Sequence, residues 1–100
     1  MKEPAIFNDV IYKRRNYQRV FEFDYDITTY EYAGGLLAEA FIPFVITKLD
    51  AYRLMIELSK VTTGSLEAKS KFAWDMKEVS GELESPLIKG VMTIEDSVTL

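Results

Sequence analysis

Apolar and polar residues alternate with a period of two over much of this chain, most clearly across residues 71–94, KFAWDMKEVSGELESPLIKGVMTI. Phe72, Trp74 and Met76 fall on one face of the first half, and Ile88, Gly90, Met92 and Ile94 on one face of the second. Successive strand residues point to opposite faces, so the pattern predicts two extended segments with a turn near Ser80-Gly81. A hairpin with that much apolar surface needs another layer over it. Gly90 shares the inward face with Ile88 and Met92, which predicts that it makes room for a bulky ring, that of Trp74. Pro86 is expected to fix the start of the last strand rather than to sit in its middle.

The upstream pattern supplies that second layer. Residues 10–12 suit a short first strand before the polar turn Lys13-Arg14-Arg15-Asn16. Tyr17, Arg19, Phe21 and Phe23 then share one face of a half-buried strand, opposite Gln18, Val20, Glu22 and Asp24. After the turn formers Asp24-Tyr25-Asp26, a further run places Tyr30, Tyr32, Gly34 and Leu36 together. The adjacent Gly34 and Gly35 would weaken a helix by about 1 kcal/mol each relative to alanine, and in a strand they mark a bulge or a close backbone approach. Residues 36–41, LLAEAF, remain helix-capable. Pro43 suits the start of an edge strand over 44–47.

Residues 50–61 fit two templates. A helix would use Asp50 as N-cap and place Leu54, Leu58 and Val61 on one face; a strand would turn Leu54, Ile56 and Leu58 inward and Arg53, Met55 and Glu57 outward. Residues 60–67, with Thr62, Thr63, Gly64 and Ser65, read as a loop with room for one helical turn. About seven short segments separated by turn signals predict an all-β antiparallel sandwich; an α+β domain with a helix at 50–61 is the alternative. The organisation expected is an N-terminal arm at 1–9, one domain at 10–95 and a tail at 96–100. Pro4 hinders regular structure in the arm, and Ile6 and Phe7 are its sticky residues; packing on a neighbour and a loose tail both fit.

Composition narrows the chemistry. One hundred residues, 48% hydrophobic and 13% aromatic, suit a single packed core. With neither Cys nor His, the chain lacks zinc sites of the usual kind, thiol nucleophiles, disulfides and imidazole bases. No catalytic residue, metal ligand or cofactor site is assigned. Asp24, Asp26, Asp75, Glu78, Glu82 and Glu84 have no calcium-loop spacing, and a solvated acidic face is the better account of them. A net charge of −4 argues against a nucleic-acid partner, and the basic cluster Lys13, Arg14, Arg15 and Arg19 reads as a solvated turn. No apolar run reaches the length of a membrane span, and the first residues lack the apolar stretch of a signal peptide, which together suggest synthesis in the cytoplasm.

Trp74 reads as a core residue rather than a sugar-stacking platform, because Phe72 and Met76 are in phase with it. Tyr12, Tyr25 and Tyr52 lie next to turns. Rings there make good interface anchors and serve equally as covers for the sandwich ends.

Three pieces of the chain resemble a family of small phage and prophage virion proteins with an immunoglobulin-like β-sandwich. They are Asn16-Tyr17 leading through Phe23-Asp24 to Asp26-Ile27-Thr28; Leu54-Met55-Ile56-Glu57-Leu58-Ser59 with a threonine after it; and Phe72-Ala73-Trp74-Asp75-Met76 followed by Pro86-Leu87-Ile88-Lys89-Gly90-Val91-Met92-Thr93-Ile94 and Ser97-Val98-Thr99. The similarity covers most of residues 10–99, and its motifs are patterns of burial and turns. Gly34-Gly35 and LLAEAF have no counterpart, and Arg15-Asn16 replaces the family's glycine-aspartate turn.

The resemblance implies that 50–61 is a strand. It also implies a non-enzymatic structural protein of a tailed-phage virion, made in the bacterial host's cytoplasm, that forms homo-oligomers and contacts other virion proteins. Ile6, Phe7, Tyr12, Tyr25 and Tyr52 are the expected interface residues, with 1–12 and 95–100 as contact arms. The rival expectations are a carbohydrate- or host-surface-binding module and a small inhibitor of a host enzyme.

Overall fold

The computed structural model describes residues 4–96. Nine strand segments and one short helix follow in order: β1 (Ala5–Ile6), β2 (Asp9–Tyr12), β3 (Tyr17–Glu22), β4 (Glu31–Leu36), β5 (Ile42–Pro43), β6 (Val45–Lys48), β7 (Arg53–Leu58), α1 (Lys60–Gly64), β8 (Lys71–Ser80) and β9 (Leu83–Glu95). They form two sheets, one ordered β1-β9-β8-β4-β5 with β2 also on β9, the other ordered β3-β7-β6. The fold is an all-β sandwich. Between the sheets, Ile11, Leu36, Leu54, Ile56, Trp74, Met76, Met92 and Ile94 are buried.

The β8–β9 hairpin is the longest pairing. Gly81 adopts φ +62° in its turn, a conformation that a residue without Cβ takes at no steric cost. The inward faces are those the alternation predicts, with Trp74, Met76, Ile88, Met92 and Ile94 buried and Phe72 half-buried. Pro86 differs from expectation: it lies inside β9, opposite Lys77, where the register shifts between Met76 and Lys77. Met76 pairs with Ile88 and Lys77 with Pro86, so Leu87 is the extra residue of a bulge. The other edge of β9 is first covered at Ile88, by Ala5, so Pro86 interrupts no ladder on that side.

Residues 50–61 are not a helix. Asp50 accepts a hydrogen bond from the Tyr52 backbone N–H (2.8 Å) and pairs with Arg53, which makes a turn rather than a helix start. In β7 Leu54, Ile56 and Leu58 are buried, paired with Phe21, Arg19 and Tyr17 of β3. A helix begins only at Lys60, where the Ser59 hydroxyl accepts from the Thr62 N–H.

The two adjacent glycines of β4 are required by close approaches on its two sides. A Cβ on Gly34 would stand 2.3 Å from the Asp75 carbonyl oxygen, and one on Gly35 would stand 2.2 Å from that of Ile42. Residues 37–41 leave the sheet without forming a helix. The chain then crosses between sheets at buried Phe44, whose N–H donates to the Gly34 carbonyl (2.9 Å).

Much of the segment expected as an arm is built into the larger sheet. β1 and β2 run parallel to β9, with Ala5 opposite Ile88 and Asp9 opposite Met92. Between them Phe7 turns inward against Phe21 and Trp74, with ring centroids 5.3 and 6.3 Å away. Asn8 bridges the break: its side-chain oxygen accepts from the Val91 N–H (2.8 Å). This segment also explains Gly90. The residue faces Trp74 across the strand pair, yet a Cβ there would stand 1.9 Å from the Phe7 carbonyl oxygen. Gly90 thus makes room for the Phe7 backbone rather than for the indole ring, and the same carbonyl accepts from Trp74 Nε1 (2.8 Å).

Candidate interaction surfaces

Three constellations stand apart from the core. The first joins the sheets at one edge. Asp9 of β2 accepts from the Tyr17 hydroxyl (2.8 Å) and is gripped by both Nε and Nη2 of Arg19, on β3. Burial alone would raise the Asp9 carboxyl, but Arg19, Tyr17 and the Val10 N–H outweigh it and hold the pKa below the usual carboxylate value. Burial first, then the bond to Asp9, push the Tyr17 phenol well above its ordinary value. This cluster fastens the sandwich, and its polar groups are mutually satisfied.

The second is a cleft of about 540 Å³ at the hairpin-turn end, lined by Tyr25, Tyr30, Glu78, Glu84, Ser85 and Pro86 among others. The Tyr25 and Tyr32 hydroxyls both donate to the same Glu78 oxygen, at 2.6 and 2.9 Å. The Tyr25 ring stands perpendicular to those of Phe23 and Tyr30. Burial and then the Glu78 carboxylate raise the Tyr25 phenol to about 12, and the same two causes raise Tyr32 further. Aromatic faces beside carboxylates suit an organic cation, through ring-quadrupole attraction and charge pairing, or a sugar ring with hydroxyls to donate.

The third is the outer face of the larger sheet. An apolar groove of about 380 Å³ runs past Ile6, Leu37, Ala73 and Val91, edged by Asn8, Asp75 and Lys89. Ile6, Leu37 and Val91 are exposed there.

These surfaces include some of the expected interface residues and not others. Ile6 lies on the outer face and Tyr25 in the cleft. Tyr12 ends β2, and Tyr52 sits half-exposed in the turn before β7. Phe7, by contrast, packs against the core, because its ring closes over Trp74 and Phe21. Residues 1–3 and 97–100, including the Ser97-Val98-Thr99 part of the family pattern and the far end of the expected tail, lie outside the described residues. Nothing in the sequence pattern marks Tyr30, Tyr32, Leu37 or Val91 as site residues. Alternation assigns Val91 and Leu37 to the face opposite the core, but it does not show that separate strands bring them into one groove.

Among the described residues no group of three or more acidic side chains is placed to hold a metal ion. No family model matches the chain and no curated protein matches it. Among solved structures, it is similar to the endo-fucoidan hydrolase MfFcnA4 from glycoside hydrolase family 107, with a TM-score of 0.62 and 8% identity over 94% of this chain. A variant of the same enzyme matches to the same degree. The chain spans only 13% of that enzyme's length. At this identity the likeness concerns the fold: a β-sandwich of this outline occurs as part of a much larger protein.

Proposed function

We propose that this domain is a non-enzymatic assembly module that works through protein–protein contacts, as a structural component of a tailed-phage particle. The observation that carries the assembly reading is the exposed apolar face around Ile6, Leu37, Ala73 and Val91, which a rigid sandwich holds in fixed geometry. Support for the virion setting is the resemblance of the 72–76 and 86–94 strands to small virion proteins. Repetition of weak contacts by symmetry would give the particle its avidity. Leu37→Arg would bury an unpaired charge in such a contact. Light scattering on the full chain is expected to show concentration-dependent oligomers that Leu37→Arg weakens at least tenfold; unchanged association in that variant would remove the face from the interface.

A second reading, carbohydrate binding, is favoured by the cleft of Tyr25, Tyr30 and Glu78. It predicts glycan-array binding that Tyr25→Ala abolishes, and a blank array would count against it.

A further inference from the structure

The fold sorts charge toward opposite ends of a molecule whose long dimension is 42 Å. At the hairpin-turn end, Glu78, Glu82 and Glu84 meet Asp24, Asp26 and Glu31, because Tyr25 bonds Glu78 and Glu31 pairs with Val79. Lys48 and Lys77 offset part of that charge, and Asp50 pairs with Arg53 nearby. At the other end of β8 and β9, the turn Lys13-Arg14-Arg15 lies beside Lys60, Lys69 and Lys71. The connections are direct: Lys13 N–H donates to the Glu95 carbonyl, Lys69 N–H to that of Ile94, Lys60 N–H to the Asn16 side chain, and Lys71 pairs with Thr93. Bases outnumber Glu67, Glu95 and Asp96 there.

Each end also has the shape to receive the other. Arg14 has φ +63° and is exposed at the tip of its turn; among the described residues the ion pair its guanidinium makes is a long 3.7 Å contact to an exposed Asp96. The opposite end offers the Tyr25–Tyr30–Glu78 cleft. A guanidinium is planar and always charged, stacks on a tyrosine face, and donates to a carboxylate.

Resting on the assembly reading above, we infer that copies of this chain meet head to tail, with Arg14 of one copy seated in the Tyr25–Glu78 cleft of the next. Such a contact is heterologous, so it builds rings or filaments rather than a closed symmetric dimer. Lys13 and the neighbouring basic residues strengthen encounter through the field they create.

Sedimentation velocity on the full chain tests this. Mass is expected to rise with protein concentration at about 0.05 M salt and to fall at about 1 M, where charge interactions are screened within about 3 Å and the apolar contact alone is left. Arg14→Glu and Glu78→Lys should each weaken association at least tenfold, while Glu39→Lys should not. An equimolar mixture of the first two should stop at dimers, since one supplies an intact cleft and the other an intact basic turn. Glu78→Gln and Arg14→Ala, with circular dichroism as a check on folding, give the same comparison where charge reversal disturbs the fold. Association unchanged by high salt, or unweakened in both variants, overturns the end contact; if Leu37→Arg abolishes it, the assembly reading stands. A monomer under every condition overturns the end contact and self-assembly together.

Discussion

Gly90 carries more structural information than its size suggests. Its missing Cβ leaves space for the Phe7 carbonyl, which in turn satisfies the buried Trp74 N–H. Gly90→Ala is expected to cost about 2 kcal/mol or more in urea unfolding, because the overlap is with backbone that cannot rotate away. Trp74→Phe leaves that carbonyl without its indole donor and trims the core ring; a loss of about 2 kcal/mol is expected in the same assay. At the other end, Tyr25 should titrate near 12, as its raised pKa indicates. A phenol that keeps its proton longer when folded stabilises the fold below its unfolded pKa of 10.0, and that contribution disappears between there and about 12. Absorbance titration of Glu78→Gln should show the Tyr25 transition moving back toward its ordinary range, since the negative charge that accepts its hydrogen bond is gone.

At the scale of elements, the alternation in 71–94 made the hairpin and its turn legible, because period-two burial and a glycine at positive φ are local facts. The inward set Leu54, Ile56 and Leu58 was also readable, although only the Asp50 turn and the β3 partner exclude a helix. Three features were not legible, for one shared reason. The true neighbour of Gly90 and the role of residues 5–12 depend on β1 and β2 lying parallel to β9, about eighty residues away in sequence, and the interior position of Pro86 depends on the bulge in the β8–β9 register: each is a pairing between segments. Periodicity within a segment carries no record of its partner. Deleting residues 1–12 therefore removes Phe7 and Asp9 from the fold, and lost stability will accompany any loss of assembly.

Asp9 links β2 to β3 and gives a pH signature. Its depressed pKa means that the stabilisation is present above the unfolded value of 3.8 and lost as pH falls through the lower folded value. Asp9→Asn should remove about 1–2 kcal/mol at neutral pH, as expected for charge-assisted bonds at a partly exposed site, and should flatten the acid limb of a pH–stability curve.

Over the whole molecule, composition gave a modest negative charge and no direction to it. Lys13, Arg14 and Arg15 read as an ordinary solvated turn in sequence. Their significance arises when β9 carries the chain from Glu84 to Glu95 and sets that turn at the far end from the tyrosine cleft. The same sorting gives the end contact a direct observable, association that salt dissolves, and distinguishes it from contact through the apolar face.

The parallel pairing of β1 and β2 with β9 also has a consequence for synthesis. Within this domain Phe7 precedes nearly all of the sandwich in sequence, yet the strand that receives it is the last one described. A nascent chain can form the β3–β7–β6 sheet early, but the Trp74 indole keeps an unsatisfied N–H, and the edge of the larger sheet stays open, until residues 88–95 have left the ribosome. Closure is thus the final event, and the interval before it is when a growing chain is most exposed to pairing with the wrong neighbour.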